Sequence, residues 1–160
     1  MNIPGQILQG ILARGALTVL RLYFGVILLV AGIPKLQSDF TPRLVAFLND
    51  VALVKGHQFY QEFVRGVVLP HAQIFAGLVS WGEVLLGLAL VLGFCTRLAA
   101  SAALLLVLNY MFAKGSWFWY PSSNDAAFAM ISVALLIGAA GRTLGLDLLL
   151  AERWPRSPLW

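Results

Sequence analysis

Long apolar blocks alternate along this chain with short polar interruptions. The first block, from about Ala16 to Leu36, is interrupted only by Arg21. It ends at Pro34-Lys35, where proline disfavours continuation of the helix and lysine can snorkel to the headgroups. Three more blocks run over about 72–94, 98–112 and 126–150, and a helix needs about 20 apolar residues to cross the roughly 30 Å hydrocarbon layer. Between the first two lies a more polar stretch, 37–71, with Leu44, Phe47, Leu48, Val51 and then Phe59, Phe63, Val67 at helical spacings. That pattern predicts amphipathic helices lying on the surface or capping a bundle. Thr41-Pro42 reads as an N-cap followed by proline in the first turn, and Lys55-Gly56 as a stop between two short helices. The connection Gly93-Phe94-Cys95-Thr96-Arg97 is so short that the second and third spans must form an antiparallel hairpin. Gly141 to Asp147 reads as the interfacial exit of the fourth span, with Leu148 to Leu150 continuing as a short surface helix. The prediction is an all-α integral membrane four-helix bundle, one domain over 1–160, with an amphipathic extramembrane loop between the first and second spans.

Composition narrows the class. Hydrophobic residues make up 60% and charged residues 11%, against roughly 25% charged in a soluble domain, so the lipid bilayer is the solvent for most of the chain. The net charge of +4 comes from cations scattered singly, without the run or stripe of a nucleic-acid surface. Cys95 is the lone cysteine, which excludes an intramolecular disulfide, a CxxC pair and a cysteine-based metal or iron–sulfur site. His57 and His71 lie outside the spans with no carboxylate at ligand spacing, so no metal or haem site is expected. The first block is too long for a cleaved signal peptide and reads as a retained anchor. Four spans put both termini on one side. Arg14, Arg97, Arg142, Arg153 and Arg156 then face Lys35, Arg43, Lys55, Arg65 and Lys114, a level tally; three of the second group sit in the long, translocatable loop, which favours cytoplasmic termini. Trp117, Trp119 and Tyr120 before the fourth span, and Trp154 and Trp160 after it, are placed as aromatic belts.

Polar groups inside spans are costly and are expected to face the bundle interior and find partners. Arg21, Glu83 and Asn109 are the candidate intramembrane cluster. Helical rise puts Glu83 and Asn109 at similar depth, and an Arg21 to Glu83 ion pair is the specific expectation. Its structural reading is a buried pair that sets helix register. Its functional reading is a lipid-accessible pocket in which Glu83 and Asn109, with Tyr23, Trp81 or Tyr110, hold a quinone head group, the carboxylate carrying a proton and the aromatic groups orienting the ring. Gly77, Gly82 and Gly87, and the Ala31-Gly32 pair, are expected at close helix contacts. No phosphate-cradling loop or nucleophile–base arrangement appears, so no self-sufficient catalytic site is expected.

Several segments together resemble the DoxX/DoxD family of small bacterial membrane proteins. They are Leu20-Arg21-Leu22 with Gly25 and Ala31-Gly32-Ile33-Pro34-Lys35-Leu36; Gly82-Glu83-Val84-Leu85-Leu86-Gly87-Leu88 with Leu92 to Leu98; and Ala140-Gly141-Arg142 with Gly145-Leu146-Asp147. The likeness covers most of the chain apart from the amphipathic loop and the tail. It implies a four-helix membrane bundle in the bacterial inner membrane. It also implies a link to quinone-coupled oxidation, because DoxD-type proteins include a subunit of thiosulfate:quinone oxidoreductase. The polar positions it carries along are Arg21, Lys35, Glu83, Arg97, Arg142 and Asp147. The functional expectation is a subunit that docks a partner oxidoreductase and presents quinone to it. The alternatives are an accessory subunit of a larger membrane complex, or homo-oligomer, without chemistry of its own, and a small-molecule carrier; against the carrier, the chain lacks repeat symmetry and broken helices of the transporter kind.

Overall fold

The computed structural model describes residues 5–119, 123–138 and 140–154; Tyr120, Arg156 and Trp160 lie outside them. Every regular element among these residues is helical. Helix α1 (Gly5–Gln37) is followed by α2 (Thr41–Phe47), a π turn (Leu48–Ala52) and the short α3 (Leu53–Lys55). Then come α4 (Gln58–Phe63), a π turn (Val64–Val68), a 3-10 turn (Leu69–His71), α5 (Ala72–Leu92), α6 (Thr96–Lys114), α7 (Asp125–Gly138), a 3-10 turn (Ala140–Arg142) and α8 (Leu146–Arg153). Among the described residues, three helical runs are long and apolar enough to cross a membrane: Leu12–Gln37, Gln58–Leu92 and Thr96–Lys114. The molecule is therefore a multi-pass helical membrane protein.

Two boundaries differ from the sequence reading. The second amphipathic helix of the 37–71 stretch is not separate from the next span. It runs on into α5 through the π and 3-10 turns, and only Pro70 and the non-helical dihedrals of His71 mark the join. The block 126–150 is not one helix either. α7 ends at Gly138 after 14 residues, and the chain turns through Ala140–Arg142 before α8 begins at Leu146. At α2, Pro42 does sit in the first turn, but Phe40 occupies the cap position. Asp39, two residues before Thr41, accepts the Thr41 N–H at 3.0 Å, so the capping side chain is the aspartate and not the threonine.

α1 and α5 form the closest pair. Lipid offers no hydrophobic drive between helices, so their contact depends on close backbone approach. A Cβ on Gly87 would lie 2.8 Å from the Gly25 carbonyl oxygen and from Leu29, and one on Gly32 would meet Val84 and Glu83 at 2.8 and 2.9 Å. Gly77 and Gly82 face open space and take no part in this seam, contrary to expectation; Gly25, on the same face of α1 as Gly32, does. α6 and α7 form the second close pair. The main core joins Phe24, Leu28, Leu90, Ala103, Val107, Ala129 and Leu135, and Phe24 stacks on Phe128 at 5.3 Å. A second core gathers Leu44, Leu48, Ala52, Tyr60, Val64, Val68, Ala76 and Ala113, which seats α2 to α4 against the far ends of α5 and α6.

The α5–α6 reversal needs only Gly93 to Cys95. Gly93 takes φ +63°, and a Cβ there would lie 2.7 Å from the Gly145 Cα and collide with the Arg21 guanidinium. Glycine is therefore required both by the left-handed dihedral and by the close approach.

Candidate functional site

The expected Arg21–Glu83 pair does not form. The two residues belong to separate polar nodes, one at the Gly93 end of the bundle and one reaching from its middle toward the Lys35 and Lys114 ends of α1 and α6. Arg21 is buried and donates through Nη1 to the carbonyls of Ala140 (3.1 Å) and Thr143 (3.4 Å), and through Nη2 to that of Leu144 (3.0 Å). These carbonyls follow the end of α7, where helix geometry leaves acceptors without partners. Beside it, fully buried Asp147 accepts from the backbone N–H groups of Cys95 (2.6 Å) and Thr96 (2.8 Å). It thereby caps α6 from a distant part of the chain, where a carboxylate also complements the helix dipole. Arg97 stands in the same turn, its Nε buried and without a partner among the described residues. Arg142 is exposed on the neighbouring 3-10 turn.

Glu83 sits near the middle of α5, 2% exposed, and its partner is Lys35. The lysine at the end of α1 turns its ammonium back into the bundle instead of out to the headgroups and lies 2.7 and 2.6 Å from the two carboxylate oxygens. The Tyr110 hydroxyl donates to Glu83 Oε1 at 2.6 Å. Asn109, expected at Glu83, is one position and about 100° further round α6; it is exposed and accepts from the Tyr60 hydroxyl instead. Tyr23 and Trp81 are both more than half exposed, and neither is among the hydrogen-bond partners of the carboxylate. Of the residues expected in a pocket, the structure thus brings Glu83 and Tyr110 together and leaves Asn109, Tyr23 and Trp81 elsewhere; the expected ion-pair partner Arg21 is replaced by Lys35, which the sequence places at the headgroups.

This second node borders a cavity of about 270 Å³. Its polar lining is Lys35, Glu83, Tyr110, Arg43 and Lys114; its apolar walls are Phe40, Leu44, Phe47 and Val79. The Lys35 ammonium also lies 5.0 Å over the Phe40 ring, a cation–π contact. Lys114, at the end of α6, pairs with Asp125 at the start of α7 at 2.9 Å and stands 5.8 Å over the Tyr110 ring. Ser123 donates to the same Asp125 carboxylate at 2.9 Å. Phe40, Arg43, Leu44 and Phe47 line this pocket although their sequence pattern alone is that of a surface amphipathic helix. Their apolar spacing, with one cation on the turn above Phe47, is the signal that could have flagged a wall and its mouth.

His57 and His71 make local contacts. His57 Nε2 is 3.4 Å from the Ser116 carbonyl with its ring against Trp117 at 4.4 Å, and His71 Nδ1 is 3.0 Å from the Val67 carbonyl. Trp117, Trp119 and Trp154 are all exposed.

A family model described as DoxX matches residues 16–115. The match therefore includes the 37–71 stretch, which the motif resemblance had left out, and stops before α7 and the 140–147 segment, which it had included. No solved structure matches the chain.

Proposed function

The chain belongs to the DoxX family, and from that premise we propose that it is an inner-membrane subunit that binds a quinone head group beside Glu83 and presents it to a partner oxidoreductase. The observation that carries the reading is the composition of the 270 Å³ cavity. Ligand pockets are mainly apolar with a few placed polar groups, and drug-sized ligands use roughly 300–1,000 Å³. At about 270 Å³ this cavity matches the lining pattern and lies just under that size range, suited to a single ring with its tail in lipid. Quinone carbonyls accept hydrogen bonds, which Lys35 and Arg43 can donate, and Phe40, Phe47 and Tyr110 offer faces for a ring. A buried carboxylate can hold the proton that moves when a quinone changes redox state. The quinone and the partner supply the redox chemistry; the chain's own residues bind, orient and hold the proton.

The reading includes four crossings. α7 is short, but Asp125 is pinned to the Lys114 end of α6 and Asp147 to the Thr96 end. The segment between them therefore covers the full height of α6, about 28 Å for 19 residues. With four crossings both termini share a side, the cytoplasmic one by the loop-charge argument.

A second reading, an accessory subunit with no ligand of its own, draws on one fact: Glu83 is already satisfied by Lys35 and Tyr110, as a purely architectural pair would be. Purification in mild detergent separates the two. Co-purified quinone, seen in an ultraviolet redox difference spectrum and lost in Glu83→Gln, is the expected result. A stoichiometric complex with another membrane protein that carries no quinone supports the second reading instead.

A further inference from the structure

We propose that Lys114 and Asp125 form the proton connection between Glu83 and water. Lys114 lines two cavities. One is the 270 Å³ cavity of Glu83; the other, of about 840 Å³, has a polar lining that includes Lys55, Ser116, Ser123, Asn124 and Asp125. Lys114 is 43% exposed and Asp125 only 11%, so the pair stands where the bundle meets its surroundings, with the carboxylate held from both sides by Lys114 and Ser123. On the inner side, the space between Lys114 and Glu83 belongs to one cavity, and at about 30 Å³ per water molecule it has room for several.

The groups facing Glu83 are Lys35 from α1, Arg43 from α2 across the cavity, and Tyr110 and Lys114 from α6. Lys35 offers a competing exit, because it also lines a third cavity, of about 220 Å³, that contains Asp39. That exit is the poorer one. Lys35 bonds both oxygens of Glu83 and Asp39 accepts the Thr41 N–H, and among the described residues these two form no ion pair with each other, so nothing links Lys35 onward to that acid. Lys114, by contrast, already holds a carboxylate that borders the larger polar cavity.

The transfer balances without electrons. A hydronium ion in the larger cavity breaks one O–H bond and leaves as water, and its proton forms an O–H bond on Asp125. Lys114 gives one ammonium proton through cavity water to Glu83 and regains one from Asp125, so one proton has moved and the starting charges of the pair are restored. This deepens the quinone reading and rests on Glu83 being the group that exchanges protons with the ligand.

The test is infrared detection of Glu83 protonation after a rapid acid step on the full chain in lipid nanodiscs without quinone, with Glu83→Gln subtracted to isolate the band. Asp125→Asn is expected to slow its appearance by roughly a hundredfold, the lower end of what a placed proton-transfer group contributes, while Asp39→Asn leaves the rate unchanged. Should Asp125→Asn fail to fold, the charge-neutral pair Lys114→Met with Asp125→Asn takes its place. Wild-type rates in both Asp125 variants, or slowing in Asp39→Asn alone, overturn the proposal. Quinone titration of the wild type in the same discs tests the pocket separately, so a failure of either is told apart from a failure of the other.

Discussion

The two polar nodes of this bundle contain similar residues and teach different lessons. At one, Arg21 and Asp147 spend their charges on backbone: three carbonyls after α7 and two N–H groups at the start of α6. At the other, Lys35, Glu83 and Tyr110 spend theirs on one another beside an open space. A charge that satisfies backbone ends is committed to the fold, because moving it removes the partners of groups that helix geometry leaves open. A charge held by side chains next to a cavity can exchange its partner for a ligand at little structural expense. Buried charge alone does not distinguish the two; the identity of the partner does.

That contrast is broken most directly by removing Arg21. Arg21→Leu leaves the Leu144 carbonyl without a donor, the Ala140 and Thr143 carbonyls with one each, and buried Asp147 without its neighbouring cation, and is expected to destabilise the folded protein by about 3 kcal/mol or more, read as loss of monodisperse protein on heating in detergent. A cost under about 1 kcal/mol would mean that the node is not structural. Gly87→Ala comes next, at about 1–3 kcal/mol, since the added carbon meets the Gly25 carbonyl and Leu29. Gly77→Ala, into open space, is expected within about 0.5 kcal/mol of wild type. Equal costs for these two glycines would contradict the α1–α5 seam.

Glu83→Gln sharpens the contrast from the other side. Lys35, one-fifth exposed beside a cavity, can turn toward water when its partner is lost, so the expected cost is about 1–2 kcal/mol, below the 3–5 of a sealed pair. The smallest effect belongs to Asp39. The Thr41 N–H, through its backbone hydrogen bond, holds this carboxyl below the usual aspartate range. A depressed carboxylate gives its full contribution above the unfolded value, about 3.9, and loses it as pH falls through the lower folded one. Amide exchange at Thr41, measured against pH and corrected for intrinsic rates, should therefore show constant protection from neutral pH down to about pH 4 and lose it only below.

Much of the fold could be read from apolar length and punctuation: the long helices, the reversal at Gly93 and the stop at Lys55-Gly56 all follow from local rules. The site was only half legible. Helical rise gives depth, so Glu83 was rightly placed level with the 109–110 turn of α6. Depth says nothing of azimuth, and a single position decided that Tyr110 and not Asn109 faces it. Lys35 was assigned to the headgroups because lysines at helix ends ordinarily snorkel outward; the carboxylate within reach inside the bundle draws it the other way. Arg21 found carbonyls that exist only because the fourth apolar block breaks after Gly138, and Asp147 caps a helix that begins 51 residues earlier in the chain. Neither contact has a local signature.

The central claim, that the Glu83 node and not the Arg21 node receives a ligand, is tested most directly by photo-crosslinking a quinone analogue to the protein in lipid and mapping the adducts by mass spectrometry. Adducts within Phe40–Phe47, Val79–Glu83 and Tyr110–Lys114, displaced by unlabelled quinone and absent in Glu83→Gln, are the expected result. Adducts confined to the turn at Gly93 and to residues 140–147, or labelling indifferent to competitor, would contradict it.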